Sequence, residues 1–298
     1  MHREEVVFTA GAGSCAAWLY RPWDRNAAFT TSPIIVMGHG LGGTRDQRLD
    51  AFAEQFTTHG YSCLVFDYRG FGNSPGNPRA VIDIARQLED WRGALRFARA
   101  LPRQDEAAVV LWGTSFGGGH VITVAAEDGG IAAVVAQCPF TDGLASATAT
   151  SVTSTAKLTI AGVVDRVGSW FGRPPVMIPT AGRPGSLALM TAPDSVGGVR
   201  SLLSDPTDPV PRVAARFALD IVRHRPGLVT DRVRCPILFS ICEQDSVAPA
   251  LPTQRYATRA PRAEVTLHDT GHFDIYTGAD FDRNVADQLD FLQRHVPA

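Results

Sequence analysis

The sequence predicts an α/β protein in which a mostly parallel sheet of eight strands is covered by helices on both faces. Six short, continuous apolar runs predict strands that are buried on both faces, as in parallel sheets. Segments with helical spacing of their apolar residues alternate with these runs and predict the helix layers. Two N-terminal segments separated by Gly11 and Gly13 predict an antiparallel hairpin at one edge of the sheet.

The strands follow from these runs in chain order. The hairpin supplies the first two, at 4–10 and 15–22. The other six are expected at 33–38, 61–68, 107–113, 131–138, 235–242 and 263–269. Their lengths, six to eight residues, are typical of strands rather than of helices.

The helices are predicted from apolar residues that recur on one face. In 49–56 these residues fall at i, i+3, i+4 and i+7, which is one side of an α-helix. Segments 84–95 and 281–292 repeat the pattern, and a further helix is expected directly after Ser115. Helices therefore connect successive parallel strands, as right-handed crossovers require.

A long segment interrupts the alternation of strands and helices. Residues 140–231 lie between the sixth and seventh strands, which is far too long for a simple connection. We predict an inserted helical cap over one edge of the sheet, with the core divided into 1–139 and 232–298. One amphipathic helix is expected in the cap, at 210–221, where apolar residues recur with helical spacing.

Composition and charge exclude several classes of partner. The 298 residues include 28 basic and 30 acidic side chains, a formal charge of -2, so nothing favours binding to nucleic acid or to an anionic membrane. The N-terminus lacks the apolar core of a signal peptide, and no apolar run reaches the length of a membrane span. We expect a cytoplasmic protein that acts on a small molecule, and a homodimer stays open.

Neither a metal nor a cofactor is predicted. The five cysteines lack Cys-x-x-Cys spacing and are expected as buried free thiols. No carboxylate has metal-ligand spacing with a pair of histidines. The glycines around Ser115 match neither a phosphate loop nor a dinucleotide fingerprint, so nucleotide binding is disfavoured.

The stretch Gly113–Gly117, GTSFG, predicts a nucleophilic serine at Ser115. It follows an apolar run and opens a helical segment, and a nucleophile elbow needs this succession of strand, sharp turn and helix. Small neighbours permit the strained backbone that lifts the hydroxyl off the sheet. We therefore interpret Ser115 as a nucleophile rather than as a turn residue.

A serine nucleophile needs a base and a group that orients the base. His272 follows the last predicted strand, and Asp245 follows the seventh, so the order along the chain is serine, acid, histidine. All three lie at carboxyl ends of strands, where open α/β sheets bind ligands. Two other acids remain possible: Glu243, and Asp142 at the end of the sixth strand.

Two backbone N–H groups are expected to stabilise an oxyanion. The N–H of Phe116, directly after the serine, is the first. The loop GHGLGG after the third strand supplies the second, which we assign to Leu41. His39 in this loop is expected to brace it, and His224 is expected at the surface.

The motifs GHGLGG, GTSFGG, EQD and GHFDIY together resemble those of the α/β-hydrolase superfamily over nearly the full chain. Longer stretches, among them FDYRGFGNSPG and GHFDIYTGADFDRNVADQLDFL, look like a bacterial subgroup of the YcjY or prolyl-peptidase-like kind. The resemblance implies a serine hydrolase of the esterase, thioesterase or peptidase type. It leaves the substrate open.

We predict hydrolysis of a carboxylic ester or thioester with a small to medium apolar acyl group, through an acyl-enzyme on Ser115. Lactone or amide hydrolysis, carbon–carbon bond hydrolysis, perhydrolysis, a lyase reaction and a binding protein with an inactive triad remain alternatives. The apolar cap carries scattered arginines, which would suit an acyl group with a carboxylate or simply reflect solvation: Arg166, Arg173, Arg183 and Arg200.

Overall fold

The computed structural model describes residues 1–23, 32–102, 104–148 and 151–298. The strands in these ranges are β1 (His2–Ala10), β2 (Gly13–Arg21), β3 (Ser32–Gly38), β4 (Ser62–Phe66), β5 (Gln104–Thr114), β6 (Ala133–Gln137), β7 (Met177–Pro179), β8 (Arg212–Ala214), β9 (Ile237–Cys242) and β10 (Ala263–His268). The α-helices are α1 (Leu49–Thr58), α2 (Ile84–Ala100), α3 (Phe116–Glu127), α4 (Gly143–Thr148), α5 (Val152–Trp170), α6 (Ser195–Leu202), α7 (Ala250–Ala257) and α8 (Gly278–His295).

The main sheet has eight strands in the order β1-β2-β4-β3-β5-β6-β9-β10. β1 and β2 pair antiparallel, β2 pairs antiparallel with β4, and every later pair is parallel. The predicted mostly parallel sheet with an N-terminal edge hairpin is confirmed. The inner strands β4, β6 and β9 are buried along their whole length, which is why their sequences read as continuous apolar runs.

Helices pack on both faces of the sheet, as predicted. One apolar core joins α2 and α3 to the sheet, and Trp91 and Val121 lie in it. A second core joins α1 and α8 to the opposite face, and Phe52 and Phe281 meet there with ring centroids 4.8 Å apart. Within the described ranges, no helix is both long and apolar enough to cross a membrane.

The inserted segment 140–231 contains α4, α5 and α6, the two-stranded sheet β7-β8 and short 3-10 helices. The predicted amphipathic helix at 210–221 is wrong. Arg212–Ala214 forms β8 and pairs antiparallel with β7, and 3-10 helices follow at Ala215–Leu219 and Ile221–Arg223. Pro211 disfavours helical backbone before it, and pairing with β7 fixes the next residues as a strand. The division into core and cap domains stays a prediction.

Candidate active site

Ser115 sits on a strained turn between β5 and α3. Its φ is 55° and its ψ is -118°, a conformation that costs a non-glycine residue energy. A side chain at Gly113 would place its Cβ 2.3 Å from the carbonyl oxygen of Gly117, and one at Gly117 would place it 2.6 Å from that of His39. Both glycines are therefore required by close backbone approach, as the elbow motif implies.

The structure brings Ser115, His272 and Asp245 into one hydrogen-bonded chain. Nε2 of His272 lies 3.0 Å from Oγ of Ser115, and Nδ1 of His272 lies 2.6 Å from Oδ2 of Asp245. The side chains of His272 and Asp245 are only 3% and 2% exposed. Burial protects these polar contacts from competition by water.

The loops after β9 and β10 fix the acid and the base. The backbone N–H groups of Val247 and Ala248 donate to Oδ1 of Asp245 at 2.8 and 2.6 Å, which leaves Oδ2 free to face His272. The N–H of Gly271 donates to the carboxylate of Asp274 at 3.2 Å, which holds the turn before His272. Both loops lie at the carboxyl ends of adjacent parallel strands.

The rival acids do not face His272. Asp142 accepts hydrogen bonds from Arg225 at 2.9 Å and from the hydroxyl of Tyr256 at 2.6 Å, so it ties surface elements together. Burial would raise the pKa of Asp142, but these two partners outweigh it and lower the pKa. Glu243 is exposed.

The loop after β3 lies against the serine. A Cβ at Gly40 would stand 3.0 Å from Cβ of Ser115, and Leu41 lines the space in front of the serine. Phe116 is the first residue of α3, so its N–H has no acceptor within the helix. His39 contacts the carbonyl oxygen of Gly40 through Nδ1 at 3.0 Å, consistent with a bracing role.

Opposing effects set the pKa of His272. Burial lowers it, but the charges of Asp245 and Cys138 and the hydrogen bond to Asp245 outweigh burial and raise the pKa to about 9. Cys138 lies behind the serine, with Sγ 3.6 Å from Oγ1 of Thr114 and 3.7 Å from the hydroxyl of Tyr276. Burial would raise the pKa of the Cys138 thiol, but Cys242 and the charge of His272 outweigh it and lower the pKa.

A largely apolar cavity opens in front of Ser115, with a volume of about 960 Å³ including its mouth. Its apolar walls come from the core and from the inserted segment: Leu41, Phe116, Phe140, Leu158, Leu189 and Ile221. Hydroxyl groups supply most of its polar lining: Ser146, Thr155, Thr159, Thr191, Ser195 and Ser246. Among the described residues that line it, none carries a charge.

A second cavity, of about 530 Å³, lies on the other side of the serine. His39, Gln47 and His272 belong to its core side, and Thr180 and Val199 to the inserted segment. Leu41, Ser115 and Met190 line both cavities. The hydroxyl of the serine therefore stands where two compartments meet.

The arginines of the inserted segment lie away from both cavities. Arg166 pairs with Asp220, and Arg173, Arg183 and Arg200 are exposed. Solvation therefore accounts for them, and none of the described residues lining either cavity is an arginine or lysine that could pair with a substrate carboxylate. In the described part of the chain, no group of three or more His, Cys, Asp or Glu side chains could hold a metal ion.

One histidine lies where the sequence did not place it. His224 was expected at the surface, but its ring lies 5.0 Å from that of Phe116 and stacks on Phe140 at 6.1 Å. Burial lowers its pKa to about 4, so the ring is neutral near pH 7. The prediction was wrong because a polar residue in a loop gives no local signal of the aromatic cluster it joins.

Comparison with known proteins agrees with this geometry. The family model described as "Serine aminopeptidase, S33" matches residues 30–273. The quorum-quenching protein AidA of Acinetobacter baumannii (strain MDR-ZJ06) is 50% identical over 293 residues, which cover 98% of this chain and 95% of that protein. The thiohydrolase aneE of Aspergillus aculeatus (strain ATCC 16872 / CBS 172.66 / WB 5094) is 36% identical over 107 residues, which cover 36% of this chain and 34% of that protein.

A solved structure extends the similarity to the whole fold. The α/β hydrolase GrgF from Penicillium sp. sh18 superposes with a TM-score of 0.82 at 25% identity, and 99% of each chain is covered. Membership of the YcjY or prolyl-peptidase-like subgroup stays a prediction. Because the family model spans most of the sequence and the elbow, strand order and strand-end residues agree with it, the chain belongs to the serine aminopeptidase S33 family of α/β hydrolases and is an enzyme with hydrolase activity.

Proposed function

We propose that this enzyme cleaves a carboxylic ester or thioester of a small to medium-sized apolar acyl group, through an acyl-enzyme on Ser115. One observation carries the proposal: the hydrogen-bonded chain of Ser115, His272 and Asp245 opens into an uncharged, largely apolar cavity. A triad activates a serine for attack on a carbonyl carbon. A cavity without charged lining residues favours a neutral acyl group over a charged one.

The first step uses the contacts around the base. Oγ of Ser115 forms a bond to the carbonyl carbon while Nε2 of His272, 3.0 Å away, takes the hydroxyl proton. Asp245 accepts a hydrogen bond from Nδ1–H at 2.6 Å, which holds the tautomer and stabilises the imidazolium ion. The carbonyl π electrons move onto the oxygen and form an oxyanion.

The oxyanion is held by the N–H groups of Phe116 and Leu41. When it collapses, the bond to the alcohol or thiol breaks, and His272 returns its proton to the leaving group. Water then attacks the acyl-enzyme while His272 takes a water proton. The second collapse releases the carboxylic acid and returns the proton to Oγ of Ser115.

The two cavities suggest which part of the substrate each of them binds. The larger one, about 960 Å³ and mostly apolar, suits the acyl group. The smaller one, about 530 Å³, lies on the His272 side and suits the leaving group, which must receive its proton from that residue. The relative named as a thiohydrolase favours a thioester among the candidates.

Lactones, amides, carbon–carbon bonds beside a ketone and perhydrolysis would use the same three residues. A substrate panel separates them by which bond is cleaved. A cytoplasmic location, a small-molecule substrate as the principal partner and a homodimer stay predictions.

Labelling with a fluorophosphonate probe tests the proposed nucleophile. We expect the folded enzyme to be labelled at Ser115, located by peptide mass spectrometry, and the Ser115→Ala variant to remain unlabelled. Ser146→Ala is the matched control, because Ser146 lines the same cavity and should leave the label on Ser115. Absence of the label, or its appearance on another residue, would contradict the proposal.

The type of bond cleaved is tested with substrates whose acyl group has six carbons: hexanoyl esters, hexanoyl thioesters, hexanoyl amides and γ-hexalactone, in which the alcohol belongs to the acyl chain itself. We expect the esters and thioesters to be hydrolysed with the highest kcat/KM. A higher kcat/KM for the lactone or the amide would contradict the proposal and assign the enzyme to lactone or amide hydrolysis instead.

A further inference from the structure

A buried hydroxyl in the wall of the larger cavity has no part in the proposed hydrolysis. Ser195 is the first residue of α6 and lines the cavity that Ser115 faces. Its side chain is 0% exposed, and its Oγ has no hydrogen-bond partner among the described residues. Native proteins leave few buried polar groups unpaired, because each one loses its bond to water without a replacement. The adjoining cavity is where a partner can be supplied.

The N-cap residue of α6 is hydrogen-bonded to the loop that carries the catalytic acid. The carboxylate of Asp194 accepts two contacts from Oγ of Ser246, at 2.7 and 2.8 Å. Ser246 directly follows Asp245, whose carboxylate faces His272. The residue before Ser195 is therefore tied to the loop that carries the catalytic acid.

The middle of α6 packs against the other catalytic loop. A Cβ at Gly198 would stand 2.1 Å from the ring of Phe273, so only glycine permits this approach. Phe273 directly follows His272, and the two rings lie 5.0 Å apart. Ser195 and Ser115 line the same cavity, so one acyl chain bound there can contact both residues.

The surroundings select the chemistry of that group. None of the described residues that line the cavity is charged, so a buried carboxylate or ammonium would lack a counter-ion. The N-terminus of α6 carries partial positive charge, which favours an oxygen acceptor over a donor at Ser195. A neutral carbonyl oxygen meets both conditions.

We propose that Ser195 determines specificity by donating its hydroxyl to a second, uncharged carbonyl oxygen in the acyl group. The preferred substrates are then esters or thioesters whose acyl chain carries a keto or amide oxygen close to the reacting carbonyl. This inference rests on the proposed function, since it assigns a feature of the substrate of the same site.

The test uses four N-acetylcysteamine thioesters of equal chain length: octanoyl, 3-oxooctanoyl, 5-oxooctanoyl and 7-oxooctanoyl. We expect the wild-type enzyme to prefer the 3-oxo or the 5-oxo compound over octanoyl by about tenfold in kcat/KM, the value of one neutral hydrogen bond. In Ser195→Ala this ratio should fall to about one. Thr159→Val is the matched control: the hydroxyl of Thr159 lines the same cavity but already donates to the carbonyl of Thr155, so the ratio should persist.

The outcomes separate this inference from the proposed function. If the wild-type enzyme hydrolyses none of the thioesters and no ester, the proposed function fails and the inference fails with it. If it hydrolyses them without a preference, or if Ser195→Ala keeps the preference, the inference alone is overturned. Should Ser195→Ala lose its fold by circular dichroism, Ser195→Cys, which keeps the size but weakens the donor, must lower the ratio in the same direction.

Discussion

The two halves of the site are built differently. The half at the strand ends holds Ser115, His272 and Asp245 in buried hydrogen bonds of 2.6 to 3.0 Å. The half from the inserted segment offers apolar side chains and neutral hydroxyls, and one of these, Ser195, has no partner among the described residues. The three catalytic side chains bond one another without a ligand, whereas the wall, on our proposal, gains its last hydrogen bond from the substrate.

This difference indicates that the strand-end half performs the reaction and that the wall from the inserted segment selects the substrate. Proton transfer needs atoms placed to a fraction of an ångström, and the ends of adjacent parallel strands supply that rigidity. A wall that recognises an acyl chain needs shape and neutrality, which many sequences can supply. Changes in the first half should therefore abolish turnover, and changes in the second should redirect it.

Ser115→Ala should have the largest effect. Without the nucleophile we expect kcat for p-nitrophenyl butyrate to fall on the order of 10⁶-fold, with an unchanged circular dichroism spectrum. The control is Ser201→Ala, an exposed serine of α6 that should leave the rate unchanged. A rate within tenfold of the wild type in Ser115→Ala would place the nucleophile elsewhere.

Asp245→Asn should come next. An amide cannot stabilise the imidazolium and favours the wrong tautomer, so we expect kcat to fall on the order of 10⁴-fold. Asp142→Asn is the matched comparison, since Asp142 pairs with Arg225 and Tyr256. We expect this variant to lower the melting temperature and to leave kcat close to that of the wild type. The reverse pattern would make Asp142 the catalytic acid.

Ala218→Phe should redirect turnover rather than abolish it. Ala218 lines the larger cavity, and a phenyl ring there would displace part of a long acyl chain. If three methylene groups lose their contacts, at about 0.8 kcal/mol each, the ratio of kcat/KM for octanoyl over acetyl esters falls roughly 50-fold. Ala156→Phe is the control, because Ala156 is exposed on α5. An unchanged ratio in Ala218→Phe would show that the acyl group does not bind in this cavity.

Cys138→Ser should have the smallest effect, a shift in the pH dependence of kcat/KM. His272 accepts a proton only when neutral, and its pKa is raised to about 9, so kcat/KM should rise with pH through that region. Cys138 contributes to the raised pKa through its negative charge. Cys138→Ser should therefore lower the pKa of His272 and move the rising limb toward lower pH. A shift to higher pH, or none, would show that the thiol does not act on the base.

The sequence was most informative about the sheet and the strand-end residues. A buried parallel strand has a local signature, and a strained elbow between close backbones needs glycines at Gly113 and Gly117. Because parallel strands present their carboxyl ends at one edge, placing Asp245 and His272 after two strands also predicted that they would meet Ser115. Their contact with the serine needed no knowledge of the intervening segments.

The inserted segment was least predictable. Its helical spacing at 210–221 was overruled by pairing of β8 with β7 and by Arg216, whose backbone N–H and side chain both bond the buried carboxylate of Asp165. His224 was missed for the same reason, since its aromatic partners lie on distant parts of the chain. Contacts remote in sequence leave no local pattern.

By itself, the sequence determined the α/β class, the succession of eight strands along the chain and the three residues that follow strand ends, because periodicity and turn chemistry are local properties. Only the tertiary structure decided the shape and neutrality of the two cavities, the pairing of Asp142 with Arg225 and the unpartnered hydroxyl of Ser195. These depend on how the inserted segment packs across the strand ends, which long-range contacts fix.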